Sequence, residues 1–215
     1  MIHKPITLYT QNLISAPSQI QTSSNTLQIT FTNATQADAL LLKSTKIVSV
    51  QVEYKTSPED EDWTQGPALT QTQKQDKFFI FPSTITAKIF KFTFDITADF
   101  QSVSLVKKLL SLENVLSSFT LNNTFKGASY YLADGSLVCW QEYVKKRINL
   151  SLSNISQTLL EDLKNLLRTN SFLTYSLFGD FDGYFTGEFA LKESPSYQLN
   201  RQSALYSVNL TLLER

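Results

Sequence analysis

The sequence predicts a mainly β protein in two modules, and three observations carry that prediction. Sheet-favouring aromatics are plentiful, with fifteen Phe and nine Tyr against only six Gly and six Pro. Several runs alternate apolar and polar residues with period two, which is the pattern of a half-buried strand. Helical spacing is confined to two stretches, 101–115 and 155–168.

Taken in order, LQITFT (27–32) and ADALLLK (37–43) read as the first strands. In IVSVQVEYK (47–55), Val48, Val50, Val52 and Tyr54 share one face, while Ser49, Gln51, Glu53 and Lys55 share the other. TSPEDEDWTQGP (56–67) carries Pro58, Gly66, Pro67 and four consecutive acids, so a loop is expected there. KFFIF (77–81) and TAKIFKFTF (86–94) follow as strands. In the second of these the inward parity changes near Ile89–Phe90, which calls for a bulge or for burial on both faces.

In QSVSLVKKLLSLENV (101–115), Leu105, Leu109 and Leu112 fall at helical spacing, so a short joining helix is expected. That places a module boundary near Phe100. Asp134-Gly135 within YLADGSLVCW (131–140) reads as a hairpin turn. VKKRINLSL (144–152) alternates cleanly, with Val144, Ile148, Leu150 and Leu152 inward. A helix is predicted over about 156–169. Ser156 caps it, Ile155 can staple onto Leu160, and Leu159, Leu163, Leu166 and Leu167 form its apolar stripe. Lys164 and Arg168 complement its negative end. FLTYSLF (172–178), YFTGEFAL (184–191) and ALYSVNLTLL (204–213) complete the strands.

Composition removes several function classes. Nineteen basic residues balance nineteen acidic ones, whereas a general nucleic-acid binder relies on a basic surplus for its phosphate contacts. No sequence-specific nucleic-acid partner is therefore expected. The one histidine, His3, rules out a histidine triad or a multi-histidine metal site. The one cysteine, Cys139, rules out an internal disulfide framework and reads as a small buried hydrophobe beside Trp140. No glycine-rich phosphate loop occurs, and no window has the run of apolar residues that a membrane span needs. The opening MIHKPITLYTQNL lacks the apolar core of a signal peptide, so synthesis in the cytoplasm is expected. No cofactor, metal or catalytic residue is assigned.

Three clusters remain as candidates. Asp180 and Asp182 beside Gly183 most simply turn a hairpin; a calcium loop is the alternative, although position twelve, Leu191, is not an acid. A paired-carboxylate glycosidase site would need a set separation across a cleft, which one turn does not offer. Phe178, Phe181, Tyr184 and Phe185 put aromatics on both parities around that turn, so either the first module or a neighbouring subunit is expected to cover one face. Trp63, after Glu59-Asp60-Glu61-Asp62, either presents its ring to a sugar or folds back on the core.

ADGSLVCWQEYVKKRINLSLSNISQTLLEDLKNLL, SFLTYSLFGDFDGYFTGEF and ALYSVNLTLLER together resemble the tail-tube-like module of long-tailed bacteriophage distal tail and minor tail proteins. The likeness is one of spacing and spans roughly residues 124–215. IVSVQVEYKTSPEDEDW and ITAKIFKFTF resemble a discoidin-like, galactose-binding-like jelly roll over roughly residues 13–100, although that family's terminal disulfide pair is missing.

The resemblances imply two β-sandwich modules. Residues 1–100 would form the jelly-roll-like sandwich, with 1–12 available to pair with the second module. Residues 101–215 would form a tail-tube-like sheet with its helix. They further imply a non-enzymatic virion structural protein of a phage tail, a homo-oligomeric ring joining the tail tube to the distal tip or baseplate. Six copies are expected, with three as the alternative. The implied partners are itself, tube and hub or tip proteins, and optionally a host-surface glycan. The rival readings are a carbohydrate-binding module that uses the 56–67 loop, and a hydrolase.

Overall fold

The computed structural model describes residues 6–10, 12–15, 18–43, 45–72, 77–112, 115–169, 172–177, 186–191 and 194–214. The protein is mainly β, with one α-helix among the described residues. Its strands are β1 Ile6–Tyr9, β2 Ser18–Ser23, β3 Thr26–Lys43, β4 Ser49–Lys55, β5 Thr64–Thr70, β6 Lys77–Phe94, β7 Ser102–Val106 and β8 Lys108–Leu112. These are followed by β9 Leu116–Tyr131, β10 Leu137–Ile155, helix α1 Gln157–Thr169, β11 Phe172–Leu177, β12 Thr186–Leu191, β13 Ser196–Asn200 and β14 Leu205–Glu214.

Two compact units result. One comprises residues 4–111 with 173–187, and the other residues 1–3, 112–172 and 188–215.

In the first unit a sheet of order β2-β3-β6-β4-β5 is built on the long antiparallel pair β3–β6, with β7 also on β3. The pair slips twice: five steps from Thr30 to Thr35 oppose two from Ile89 to Ala87, then two from Ala37 to Ala39 oppose five from Ile85 to Ile80. Such slips bend a strand and reset which face points inward. Ile85 and Ala87 therefore share one core with Phe90, Phe92 and Phe94 despite opposite parity. This is the irregularity expected near Ile89–Phe90. The expected strand pairs 27–32 with 37–43, and 77–81 with 86–94, are each one bent strand.

Beyond the bend, β3 is buried on both faces. Leu40 and Leu42 enter the main core, while Ala39 and Leu41 meet Tyr9, Phe78 and Val106 on the other side. Tyr9 and Phe78 pack edge to face at 5.1 Å. β1 belongs to a ribbon of order β8-β1-β11, with Ile6 opposite Leu177 and Tyr9 opposite Thr174.

Where a joining helix is expected, residues 102–106 and 108–112 form strands. β7 pairs with β3, whereas β8 pairs beside β1, and the chain changes partner at Lys107. Asn12 pins the changeover: its Oδ1 accepts from Leu105 N at 3.0 Å and its Nδ2 donates to Val103 O at 3.1 Å. Tertiary pairing outweighs the helical spacing of the leucines.

The expected 56–67 loop ends at Trp63, because Thr64 to Pro67 already belong to β5. Pro67 is tolerated there because β5 is the last strand of its sheet. A register irregularity opposite Gln51–Glu53 accommodates the dipeptide, and a Cβ on Gly66 would lie 2.9 Å from Val52 O.

In the second unit the order is β12-β14-β10-β9, with β13 also on β14. Ile148, Leu150 and Leu152 on β10 face Leu212, Leu210 and Val208 on β14, and all six are buried. Helix α1 packs beside β14 and buries Leu160 and Leu163. Its start is as expected, since the Leu159 N–H donates to Ser156 Oγ at 3.2 Å. Ahead of it, Asn154 takes a left-handed φ of 59°, which asparagine tolerates better than most residues.

Candidate functional site

Trp63 sits where a braced loop returns to the outer face of the β4–β6 pair. Alternation along β4 sends Val50 and Val52 into the core and leaves Glu53 and Lys55 outside, and the register sets Lys91 opposite Glu53. Lys91 Nζ and Glu53 Oε2 pair at 2.8 Å, and Gln65 Nε2 donates to Glu53 Oε1 at 2.8 Å. The Lys91 ammonium, chiefly through its hydrogen bond, holds the Glu53 carboxyl below its usual range.

Asp60 organises the loop. Its Oδ2 accepts from the Ser57 N–H at 2.8 Å and from Thr56 Oγ1 at 2.9 Å. Those bonds, the Ser57 amide first, lower its carboxyl pKa. Lys55 Nζ donates to the carbonyls of Asp60 and Glu61.

Trp63 is half-buried. The ammonium groups of Lys55 and Lys91 each lie 5.1 Å from its ring centroid. It is neither folded into the apolar core nor held clear of the surface. Its π-system already has two cations as neighbours, which is an electrostatically favourable arrangement.

The structure places the remaining predicted residues unevenly. Phe178, Phe181, Tyr184 and Phe185 lie outside the described residues, as do His3, Asp180 and Asp182. Asp134-Gly135 is the expected turn: Gly135 has φ 84°, and Asp134 Oδ1 accepts from Ser136 N at 2.9 Å and Ser136 Oγ at 2.6 Å. Those bonds, the hydroxyl first, lower the Asp134 pKa.

Cys139, expected to be buried, is exposed. The reason is that β10 gains β14 as a partner only from Arg147 onward, so among the described strands residues 137–146 pair with β9 alone. This two-stranded ribbon carries Tyr130, Tyr131, Leu132 and Leu137 in solvent, with Tyr131 76% exposed.

Two buried charges escaped the sequence. Asp38 interrupts an otherwise apolar run and accepts from Thr84 Oγ1 and from the Lys108 N–H, tying β3 to β6 and to the start of β8. Lys77 Nζ donates to Gln71 O at 3.0 Å, and burial lowers its pKa. Gln71 in turn uses its amide like a strand, accepting from Phe78 N and donating to Phe78 O. Asp38 is signalled by a lone acid between apolar neighbours; Lys77, at a strand start, carries no such signal. Both act as structural ties.

Among the described residues, no group of three or more His, Cys, Asp or Glu side chains is placed to hold a metal ion. No helix among them is long and apolar enough to cross a membrane.

No protein-family model matches the chain, and no curated protein matches it. Among solved structures it is similar to "putative alpha-L-fucosidase from Bacteroides thetaiotaomicron", with 12% identity and a TM-score of 0.35. The similarity covers 45% of this chain and 28% of that one. A likeness at that level carries no argument about fold or activity.

Proposed function

We propose that the chain is a non-enzymatic structural component of a long-tailed phage or phage-like tail tip, forming a ring that joins the tail tube to the distal tip or baseplate. The observation that carries this reading is the make-up of the second unit. A strand leads through the Ser156 cap into one helix, and an alternating final strand sits between β10 and β12, which is the order the spacing resemblance implies. The two-stranded end of the β9–β10 pair supports assembly as well. A two-stranded ribbon is marginal alone in water, and exposed tyrosines and leucines gain from cover by a neighbouring copy. Six copies closing head to tail are the preferred ring, three the alternative. The setting is the virion tail, with tube and hub or tip proteins as further partners.

Light scattering with negative-stain electron microscopy tests this. Closed rings with a central hole are expected, and Tyr131→Glu with Leu137→Glu should return them to monomers. A monomer at all concentrations that also fails to join rings of tail-tube protein would defeat the proposal.

The second reading is a carbohydrate-binding module centred on Trp63, favoured by the partial exposure of its ring in a braced loop. It ranks behind because Lys55 and Lys91 already adjoin that ring. Glycan-array binding that disappears in Trp63→Ala would reverse the order.

A further inference from the structure

A separate feature lies wholly within the second unit. An open groove of about 630 Å³ runs between the last turns of α1 and the chain around β13, in the size range of ligand sites. Lys164, Leu167 and Arg168 line it from α1, and Leu191, Pro195 and Tyr197 line it opposite, with Ser194 at the margin. The three helix positions are spaced i, i+3 and i+4, so they share one face. Lys164 Nζ lies 4.7 Å from the Tyr197 ring centroid. Arg168 is close enough for its charge to oppose the effect of burial on the Tyr197 phenol.

Charge decides the ligand class. The described lining holds two cations and no acid, and no ion pair to Lys164 or Arg168 occurs among the described residues. Leu167, Leu191 and Pro195 add an apolar lining between them. The strand that supplies Tyr197 also has a backbone edge to offer. β13 has β14 as its one partner among the described strands, and all five of its side chains are exposed. An open strand edge beside side-chain pockets is how extended peptides are held, with main-chain bonds giving affinity and pockets giving selectivity.

We infer that this groove binds an extended acidic peptide of a partner protein, one carboxylate meeting Arg168, another meeting Lys164, and an apolar side chain between them resting on Leu167. The inference does not depend on ring formation.

The test is fluorescence anisotropy on the full chain with a labelled eight-residue peptide of Asp and Glu around a central Leu. The same peptide with Asn and Gln in place of the acids serves as control. The acidic peptide should bind and the neutral one should not. Lys164→Gln and Arg168→Gln should each weaken binding by about tenfold, as expected for loss of a charge-assisted hydrogen bond. Lys46→Gln, an exposed change in the other unit, should leave binding unaltered. Circular dichroism confirms that each variant remains folded.

Equal weakening by Lys46→Gln would overturn the inference in favour of unspecific attraction. Full competition by inorganic phosphate at equal concentration would overturn the peptide assignment in favour of a free anion. No binding of the acidic peptide, or equal binding of the neutral one, would reject the site.

Discussion

At the scale of single residues, space and ionisation set the strictest limits. A methyl group on Gly66 would meet backbone, the Val52 carbonyl oxygen, and not the yielding end of a side chain. Gly66→Ala should therefore lower stability by about 1–2 kcal/mol, read from the urea midpoint at unchanged slope. Gly135→Ala meets nothing within 4 Å and should lose only about 1 kcal/mol, through its positive φ.

Tyr9 makes the opposite kind of demand. Burial first, and the Asp38 carboxylate second, push its phenol from 10.0 to about 12. The unfolded chain then ionises Tyr9 at lower pH than the folded one does. The associated stability is complete below about pH 10 and is lost as pH rises towards 12, by about 2 kcal/mol. Urea titrations across that window should show a steeper alkaline decline for the wild type than for Tyr9→Phe.

At the scale of elements, the helix start is the simplest prediction. Ser156→Ala removes the bond to Leu159 N and should destabilise the second unit by about 1 kcal/mol, with Ser156→Asp restoring it, as followed by far-ultraviolet circular dichroism in urea.

The same scale shows what could be read from the sequence. β4, β10, α1 and β14 were legible because one face of each is apolar at the element's own period. β3 and β6 appeared as four strands because each slip interrupts the alternation and the cue is local. Leu105, Leu109 and Leu112 suggested a helix because their spacing does not record that β7 and β8 serve different neighbours. Trp63 stood out as a candidate, but its cationic setting did not. Lys91 reaches it only through the β4–β6 register, which the sequence does not display.

At the scale of the whole molecule, the first unit is discontinuous in the chain. Ending a fragment at residue 111 removes β11, the partner of β1, and leaves an open edge bearing Ile6, Leu8 and their neighbours. Such a fragment should unfold at lower urea than the corresponding transition of the full chain, and should aggregate on concentration, measured by tryptophan fluorescence and light scattering. Trp63 reports on this unit and Trp140 lies in the sequence of the other, so Trp140→Phe makes the fluorescence specific.

The same pairing orders events at the ribosome. Ile6 emerges long before its partner Leu177, far downstream in the sequence, has been translated. At usual elongation rates the nascent β1 edge waits on the order of ten seconds or more for its mate. During that interval it is open to chaperones, and to the β1 edges of other nascent chains on the same message.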